Sequence, residues 1–593
     1  MANAAEKKFS PLDAEIQKRV ERWLSWPIDE ASKQTIRDLA AKNAQELANA
    51  FYTDLSFGTG GMRAIMGVGS NRMNRYTVQM ATQGLANYLL KQSEKKGALR
   101  VFIGYDSRNH SRLFAEDAAR VLAANQIHVS LCKEMRPTPY VSFAARYKKC
   151  IAAIMITASH NPAEYNGYKV YGSDGGQVVF PHDEAIMQEV HHIRDLSEVR
   201  LVDLNSPLIE MEGEKLDEAY LAAIRPLSLY PEENKARGKE LKITYTSLHG
   251  TGITLAPKAL KNWGFSSIDY VEKQIIADGN FPTVKFPNPE YKEALAMGTE
   301  QLEKTGADLL IANDPDADRM GIAVLQKGKA AILTGNQIAS LCVEYLCETL
   351  TRRGKMPKNG AFVTTIVSTD LIKTIANFYG ASCFEVLTGF KYIGEKIHQW
   401  ESSPTSPHFI FGAEESYGFL LGTHARDKDA IVSSCLIAEI ALMNKKEGKT
   451  LLDRMEAIYQ KHGLFRERQL ALTFSAGREG KEAMDTLMHS LRKKLPETLC
   501  GQEVMIIEDY LNQKRYLKET KSIEPLFLPQ SDVLLFRLKD HAKIVIRPSG
   551  TEPKVKIYAE VQLQKFPSVE KGIAQCDQHL DELLNAMKKD LLV

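Results

Sequence analysis

Net charge, paired cysteines and long apolar runs are all scarce in this chain of 593 residues. The formal net charge of +2 gives no reason to expect nucleic acid or an anionic membrane as a partner. The eight cysteines include no CxxC pair and are too few for a disulfide scaffold, so we expect a reduced, cytoplasmic setting. The apolar stretch 431–443 is too short to span a bilayer, and the first residues lack the apolar segment of a signal peptide. We therefore expect neither membrane association nor export.

The length and the order of apolar patterns predict several domains. A chain of this size exceeds what one hydrophobic core supports, and 44% hydrophobic with 25% charged residues is typical of a globular protein. Residues 12–56 are expected to be helical with a break at Pro27, and strands and helices then alternate as in α/β domains. After about residue 465, strands joined by short turns predict an antiparallel α+β domain. The predicted domains are 1–225, 226–333, 334–464 and 465–593.

A serine follows one of the predicted buried strands. The apolar run 151–156 ends in the sequence Thr-Ala-Ser-His-Asn-Pro at 157–162, where Pro162 prevents an ordinary continuation of the strand. Ligands of α/β sheets usually bind at the ends of strands, so Ser159 could carry a covalent group. The alternative is a strand that ends in a turn with polar capping groups.

Three carboxylates occupy alternate positions of the sequence Asp-Pro-Asp-Ala-Asp-Arg at 314–319. Such close carboxylates repel one another unless a cation neutralises them, and their oxygen ligands favour Mg²⁺, Mn²⁺ or Ca²⁺ over Zn²⁺. An EF-hand loop is excluded, because Arg319 and Leu325 occupy its glycine and glutamate positions. The remaining alternative is a solvated acidic turn.

Two further sequences combine glycine with a cation. In Phe-Gly-Thr-Gly-Gly-Met-Arg at 57–63, the glycines permit close backbone approach and Arg63 offers donors suited to phosphate. A turn predicted at Asn166-Gly167 brings Lys169 back towards the serine. A plain glycine turn with a surface arginine, and a hairpin with a solvated lysine, are the respective alternatives.

The second half of the chain offers polar groups for a sugar phosphate. Glu414 and Ser416, two residues apart, can face one way on an extended loop and suit neighbouring sugar hydroxyls, or they can simply cap a turn. The sequence Arg-Pro-Ser-Gly-Thr at 547–551 joins two predicted strands and can form a phosphate-binding nest of hydroxyls, N–H groups and one guanidinium.

These motifs, in this order, resemble the α-D-phosphohexomutase family, and within it the phosphoglucomutase branch, over roughly residues 50–560. The resemblance implies four domains, three similar α/β domains and a C-terminal α+β domain, around one cleft. It also implies Mg²⁺ as the cofactor, held by the three aspartates and Ser159. Family members often have an arginine a few residues beyond Thr551, where this chain has Lys554 and Lys556. The second cation of the phosphate loop therefore stays open.

The resemblance implies a role for each motif residue. Ser159 is the phosphate carrier, and Lys428 corresponds to a family lysine near the transferring phosphate. The expected catalytic residues are Ser159, His160, Lys169, Arg63 and Lys428. The expected metal ligands are Ser159, Asp314, Asp316 and Asp318. The expected substrate-binding residues are Arg319, Thr388, Gly389, Glu414, Ser416, Arg547, Ser549, Gly550 and Thr551.

The implied reaction is that of an isomerase, in which glucose 1-phosphate and glucose 6-phosphate interconvert through phosphoserine and glucose 1,6-bisphosphate. The bisphosphate is also the expected activator. A phosphopentomutase, a phosphomannomutase and a glucose 1,6-bisphosphate synthase are alternatives, and a sugar phosphatase or a silent sugar-phosphate sensor are more distant ones. Lys169, His160 and Lys428 remain candidates for the general acid and base. The oligomeric state stays open between monomer and dimer.

Overall fold

A computed structural model of the chain describes residues 11–56, 61–92, 99–474, 478–493, 495–548 and 554–592. The chain divides into two compact units. The first unit comprises Met1–Ala323 and Thr423–Cys435, and the second comprises Val324–Gly422 and Leu436–Val593.

The first domain begins with three helices and continues as an α/β layer structure. The first two helices are separated near Pro27, as predicted, and a second break at Asn43 separates the second helix from the third. The Asn43 side chain accepts a hydrogen bond from Glu46 N and so caps the third helix. Trp23, Trp26 and Phe51 form their common core. The helices are α1 (Pro11–Ser25), α2 (Glu30–Lys42), α3 (Ala44–Phe51), α4 (Arg75–Gln92), α5 (Ser111–Ala124), α6 (Thr138–Tyr147) and α7 (His182–His192). The strands are β1 (Met62–Ile65), β2 (Arg100–Tyr105), β3 (His128–Cys132), β4 (Ala152–Ile156), β5 (Tyr165–Gly172) and β6 (Ile209–Glu212).

The sheet of this domain has the order β1-β5-β4-β2-β3-β6. Strands β2, β3, β4 and β6 are parallel, whereas β5 runs antiparallel to both β4 and β1. Every residue of β4 is buried, which explains its uninterrupted apolar sequence. Since β2 and β4 are parallel neighbours, the segments that follow them emerge at the same edge of the sheet.

The second domain repeats the α/β arrangement around a five-stranded sheet of order β11-β10-β9-β7-β8. Strand β7 is parallel to β8 and β9. The helices are α8 (Glu214–Ile224), α9 (Pro231–Arg237), α10 (Gly252–Trp263) and α11 (Lys292–Thr305). The strands are β7 (Ile243–Thr246), β8 (Ile268–Tyr270), β9 (Leu309–Asn313), β10 (Met320–Gln326) and β11 (Lys329–Leu333).

The third domain has a four-stranded sheet of order β13-β12-β14-β15, in which β12 is parallel to both of its neighbours. Its first helix begins at a capping box formed by Thr334 and Gln337. The helices are α12 (Gly335–Arg352), α13 (Leu371–Phe378), α14 (Phe390–Glu401), α15 (Ala430–Lys446) and α16 (Leu451–His462). The strands are β12 (Gly360–Thr365), β13 (Ser382–Val386), β14 (His408–Glu414) and β15 (Gly418–Leu421).

The fourth domain has an antiparallel sheet of order β16-β23-β22-β21-β18-β19-β20, with β17 paired to β18. The α/β and α+β fold class is therefore confirmed, while the exact domain boundaries stay a prediction. Within the described ranges, no helix is both long enough and apolar enough to cross a bilayer. The helices are α17 (Arg478–Lys493) and α18 (Val569–Leu592). The strands are β16 (Leu464–Thr473), β17 (Thr498–Leu499), β18 (Gln502–Asp509), β19 (Lys514–Leu517), β20 (Ser522–Pro525), β21 (Leu534–Leu538), β22 (Lys543–Pro548) and β23 (Lys554–Leu563).

Candidate active site

Ser159 lies on a tight turn directly after β4. Its φ of 53° is in the left-handed region, which a serine adopts only when its surroundings hold it there. Its backbone N–H donates to Thr157 Oγ1 over 2.8 Å, and the residue is 2% exposed. The turn therefore presents the hydroxyl in a fixed direction at the end of the strand.

Arg108 holds this turn, and the sequence reasoning did not assign it a role. Its guanidinium donates to the carbonyl oxygens of Ser159 at 2.6 Å, Pro162 at 2.7 Å, Tyr165 at 2.9 Å and also Asn161. Burial lowers the pKa of Arg108 to about 10 although Asp106 opposes the shift, so the side chain remains charged at neutral pH. The only sequence indication was its position three residues after β2, the parallel neighbour of β4.

The three aspartates occupy the short loop between β9 and β10 and are all buried. Asp314 Oδ1 accepts hydrogen bonds from the backbone N–H of Asp318 at 3.1 Å and of Arg319 at 2.9 Å. Asp314 Oδ2 accepts a hydrogen bond from Ser159 Oγ at 2.9 Å. Burial, together with the charges of Asp316 and Asp318, raises the pKa of Asp314 well above its ordinary value. The loop thus joins the serine hydroxyl to a cluster of carboxylates.

The aspartate cluster has the donor set of a divalent-cation site. One carboxylate oxygen of each residue lies within 4.8 Å of the others. Among the described residues, Asp316 Oδ1 and Asp318 Oδ1 are buried and have no hydrogen-bond partner. Buried oxygens without a partner are rare in native proteins, and hard oxygen ligands suit a cation such as Mg²⁺. These residues therefore fit the metal that the sequence predicts.

Lys169 supplies a positive charge to the same cluster from β5. Its Nζ lies 2.8 Å from Asp316 Oδ2 and 3.3 Å from Asp318 Oδ2. Burial alone would lower the pKa of Lys169, but the two aspartates outweigh it and raise the pKa above its ordinary value. The lysine therefore remains a cation at neutral pH.

The predicted turn at Asn166-Gly167 is wrong, because both residues lie inside β5. The Asn166 amide donates to Asn109 O and to Ser111 Oγ, both at 3.0 Å, instead of closing a turn. A Cβ atom at Gly167 would lie 2.5 Å from Thr157 O. Glycine is therefore required here by close strand packing and not by a turn.

Lys428 also reaches the aspartates, on a segment that belongs to the first unit. Its Nζ lies 3.1 Å from Asp318 Oδ2 and 3.0 Å from Asp427 Oδ1. Asp427 had no predicted role. Two lysines distant in sequence therefore contact the same carboxylate, Asp318.

His160 and the two predicted arginines lie near the serine. His160 Nδ1 is 3.1 Å from Ser159 Oγ, and burial, followed by the charges of Arg319 and Arg63, lowers its pKa well below the ordinary value. A neutral imidazole at this distance can accept a proton from a hydroxyl. Arg63 donates to Asn161 Oδ1 at 3.4 Å, and Arg319 forms an ion pair with Glu290. The structure thus brings the predicted catalytic residues and metal ligands together, while their individual roles stay predictions.

The predicted sugar-binding residues lie in the second unit. Thr388 and Gly389 follow β13, and Glu414 is the last residue of β14; both strands are parallel to β12, so these segments emerge at one edge of the sheet. The extended loop expected at Glu414 and Ser416 is wrong, because Ser416 lies in the tight turn between the antiparallel strands β14 and β15. Glu414 is buried, and Ser416 is partly exposed.

The neighbouring Glu415 is hydrogen-bonded to residues at the end of an adjacent strand. Its Oε2 accepts hydrogen bonds from Thr365 Oγ1 at 3.1 Å and from Ser368 Oγ at 3.3 Å, at the end of β12. This contact ties the turn that contains Ser416 to the neighbouring strand, although the sequence reasoning assigned Glu415 no role.

The predicted phosphate loop is only partly described. Arg547 lies near the end of β22, opposite Lys556 on β23. Ser549, Gly550 and Thr551 lie outside the described residues, as do residues 57–60 of the glycine-rich loop before Arg63. Their predicted contacts with substrate stay predictions.

Sequence profiles of one family match most of the chain. They are the phosphoglucomutase/phosphomannomutase α/β/α domains I, II and III, at residues 54–197, 218–328 and 334–462, and the C-terminal domain, at residues 514–565. The phosphoglucomutase of Staphylococcus haemolyticus is 37% identical over 558 residues, covering 93% of this chain and 98% of that protein. The phosphoglucomutase of Staphylococcus aureus is 36% identical over 531 residues, covering 89% and 93%.

Solved structures share the fold at lower identity. The open form of parafusin, a phosphoglucomutase of Paramecium, has a TM-score of 0.66 at 18% identity and covers 89% of this chain and 95% of its own. A phosphoglucomutase/phosphomannomutase family protein of Burkholderia thailandensis has a TM-score of 0.62 at 17% identity, covering 90% and 96%. With four matched domains and relatives that span nearly the whole sequence, the chain belongs to the phosphoglucomutase/phosphomannomutase family.

Proposed function

We propose that this enzyme is a phosphoglucomutase that interconverts glucose 1-phosphate and glucose 6-phosphate through a phosphoserine at Ser159. The observation that carries the proposal is the hydrogen bond of 2.9 Å from Ser159 Oγ to Asp314, inside a buried cluster of three aspartates. Relatives of similar length named phosphoglucomutase support the choice of substrate.

The proposed cycle transfers a phosphoryl group twice. A hydroxyl of the sugar phosphate attacks the phosphorus of phosphoserine, the bond from phosphorus to Ser159 Oγ breaks, and the proton of the attacking hydroxyl passes to a base. The resulting glucose 1,6-bisphosphate turns over, and Ser159 Oγ attacks the phosphorus of its other phosphoryl group. The bond from that phosphorus to the sugar oxygen breaks, and the sugar oxygen takes up a proton. The serine thus ends as it began, which makes the net reaction an isomerisation.

The residues around the serine have distinct tasks in this cycle. Asp314, Asp316 and Asp318 would hold Mg²⁺, which supplies positive charge to the transferring phosphoryl group when bound. Lys169 and Lys428 add cationic charge beside the aspartates. The Ser159 hydroxyl donates to Asp314; when it turns towards His160, which is neutral and 3.1 Å from Ser159 Oγ, this imidazole is suited to take its proton as the hydroxyl becomes the nucleophile.

The predicted sugar-binding and phosphate-binding residues would bind the parts of the substrate that do not react. Glu414 and Ser416 would accept and donate hydrogen bonds to neighbouring sugar hydroxyls, and Thr388-Gly389 would approach the ring. Arg547, with Ser549, Gly550 and Thr551, would bind the distal phosphate. Glucose 1,6-bisphosphate is the expected activator of the dephosphorylated enzyme.

The proposed location is the cytoplasm, because all eight cysteines are free thiols, as expected in a reducing compartment.

Intact-mass analysis combined with a substrate comparison tests the proposal. We expect one phosphate on the peptide that contains Ser159, and none on that peptide in Ser159→Ala, whose turnover should fall by several orders of magnitude while the fold persists. Glucose 1-phosphate should have a higher kcat/KM than mannose 1-phosphate and ribose 1-phosphate. Near-normal activity of folded Ser159→Ala would refute the carrier. A ribose value at least about tenfold above glucose would indicate a phosphopentomutase, because a site built around one hydroxyl arrangement discriminates strongly.

The same assay separates a mutase from a phosphatase and from a bisphosphate synthase. Stoichiometric release of inorganic phosphate, with no 6-phosphate formed, would indicate a phosphatase. Net accumulation of glucose 1,6-bisphosphate from an external phosphoryl donor would indicate a bisphosphate synthase.

A further inference from the structure

The carboxylate beside Lys428 is shared with a buried tyrosine. Asp427 Oδ1 accepts from Lys428 Nζ at 3.0 Å and from the backbone N–H of Lys428 at 2.8 Å. The other oxygen, Asp427 Oδ2, accepts from the hydroxyl of Tyr171 at 2.8 Å. Asp427 and Tyr171 are both buried, so these contacts are shielded from water.

Tyr171 stands on the same strand as the other lysine of the site. It follows Lys169 by two residues on β5, and side chains two apart lie on the same face of a strand. Lys169 contacts Asp318 Oδ2 at 3.3 Å, and Lys428 contacts the same oxygen at 3.1 Å. The contacts therefore close a ring from Tyr171 through Asp427, Lys428, Asp318 and Lys169 back to the strand.

The backbone of the segment that contains Lys428 is fixed separately. The N–H of Arg426 donates to Ser142 Oγ at 2.8 Å, ahead of the lysine. Asp429, just after it, accepts from the Tyr220 hydroxyl at 2.7 Å and from the N–H of Ile431 at 2.8 Å. These bonds fix the segment on both sides of Asp427 and Lys428, and the Tyr171 contact fixes the second oxygen of the Asp427 carboxylate.

We propose that Tyr171 is a positioning residue, which acts through Asp427 to hold the Lys428 ammonium against Asp318. With its second oxygen occupied by the tyrosine, Asp427 offers Lys428 a single oxygen, and the ammonium can reach Asp318 at the same time. Without the tyrosine hydroxyl, Asp427 would keep only its bonds at Oδ1, and its carboxylate could tilt about that oxygen and draw Lys428 away from Asp318. The inference rests on the proposed function, in which Lys428 acts on the transferring phosphate.

The charges around Tyr171 and Asp427 keep the tyrosine hydroxyl protonated and the carboxylate ionised, so the hydrogen bond between them is maintained. Burial, followed by the charge of Asp427, raises the pKa of Tyr171 well above its ordinary value. Burial alone would raise the pKa of Asp427, but Lys428 and Lys169 lower it below the ordinary value. Tyr171 therefore stays a phenol and Asp427 a carboxylate at neutral pH.

The same strand offers a matched control. Tyr168 is also fully buried on β5, but it is three residues from Tyr171 and so faces the opposite side of the sheet. Its hydroxyl is 3.1 Å from Thr82 Oγ1, away from the aspartates and lysines. Tyr168→Phe and Tyr171→Phe each remove one buried hydroxyl from the same strand.

Steady-state kinetics of the full-length enzyme, with glucose 1-phosphate as substrate, test the inference. We expect Tyr171→Phe to lower kcat about tenfold with little change in KM, and Tyr168→Phe to change kcat less than about twofold. Both variants should lose similar thermal stability. In a Lys428→Met background, Tyr171→Phe should change kcat less than about twofold, because its target is gone. Asp427→Asn, which keeps the shape of the side chain but removes its charge, is the second variant. In that background Tyr171→Phe should change kcat less than about twofold, because no carboxylate is left for the tyrosine to orient.

Each outcome bears on one claim. Equal kcat losses in the two tyrosine variants, or full additivity with Lys428→Met, would show that Tyr171 has only a structural role. A crystal structure of Tyr171→Phe gives a readout that needs no substrate: Lys428 Nζ is expected to leave Asp318, and an unchanged position would overturn the inference. A wild-type enzyme without mutase activity would instead refute the proposed function.

Discussion

Two clusters of buried charge, one in each unit, differ in how their carboxylates are satisfied. The cluster in the first unit contains Asp314, Asp316 and Asp318 beside Lys169 and Lys428. The cluster in the second unit contains Asp370, Glu560, Lys543 and Arg537. Both include lysines that are almost inaccessible to water, so burial of charge alone does not distinguish them.

Every carboxylate oxygen of the second cluster has a partner. Lys543 Nζ is 2.6 Å from Asp370 Oδ1 and 3.6 Å from Glu560 Oε1. Arg537 is 2.6 Å from Asp370 Oδ2, and the N–H of Asp370 donates to Glu560 Oε2 at 2.8 Å. In the first cluster, by contrast, Asp316 Oδ1 and Asp318 Oδ1 have no hydrogen-bond partner among the described residues. The difference indicates that the second cluster supports the fold, whereas the first has carboxylate oxygens suited to bind a cation.

The largest expected effect is loss of activity at the first cluster. Excess chelator should abolish turnover and Mg²⁺ should restore it. Asp316→Asn should lower kcat by at least about a hundredfold, because the proposed metal would lose a charged ligand and would neutralise the transferring phosphoryl group less well. The exposed Asp203→Asn is the control and should retain activity. Full turnover in excess chelator would contradict the assignment of the aspartates.

A change at the second cluster should instead reduce stability. Lys543→Met removes the buried cation beside Asp370 Oδ1 and Glu560 and leaves Arg537 as the cation on Asp370, which should lower the free energy of unfolding by about 3 kcal/mol. Urea denaturation measures this loss, and the phosphate content of Ser159 should not change. The control is Lys518→Met, which removes an exposed pair with Glu503 and should cost less than about 1 kcal/mol. Equal losses in the two variants would show that the second cluster contributes no special stability.

The third expected effect is a change in the pH dependence of stability. Burial raises the pKa of Glu560 to about 8 from 4.5, although Lys543 opposes the shift. The unfolded chain therefore releases this proton at lower pH than the folded protein does. The contribution of Glu560 to stability is complete below about pH 4.5 and declines as the pH rises towards about 8.

Glu560→Gln, which stays neutral, should remove this decline. Unfolding free energies of both proteins between about pH 5 and pH 8 give the comparison, since groups other than Glu560 contribute equally to both curves. Parallel curves would mean that Glu560 is ionised throughout this range in the folded protein.

The sequence indicated where Ser159 and the aspartates lie, because each follows an apolar run that forms a buried strand, whereas the predicted role of Ser159 came from the resemblance of the motifs to a family. Arg108 could not be found in this way. Its partners are main-chain oxygens of residues 159–165, and main-chain groups leave no trace in the amino-acid sequence. The role of Asp427 likewise depends on Tyr171, from which it is separated by 256 residues.

The incorrect turn at Asn166-Gly167 shows tertiary structure overriding a local preference. The pair is common in hairpin turns, but β5 lies between β4 and β1, and the neighbouring strand backbones leave no space for a Cβ at Gly167. Local sequence could not distinguish a glycine needed for its backbone angles from one needed for its small size.

The way in which Arg108 holds the serine turn has a consequence for repeated catalysis. The guanidinium bonds to carbonyl oxygens and not to the Ser159 side chain, so the shape of the turn does not depend on what the hydroxyl carries. In each proposed cycle that oxygen loses a phosphoryl group and regains one. Because Arg108 contacts only the main chain of this turn, the turn can have the same backbone conformation with and without a phosphoryl group on Ser159. The protein therefore need not rearrange this turn between the two transfers.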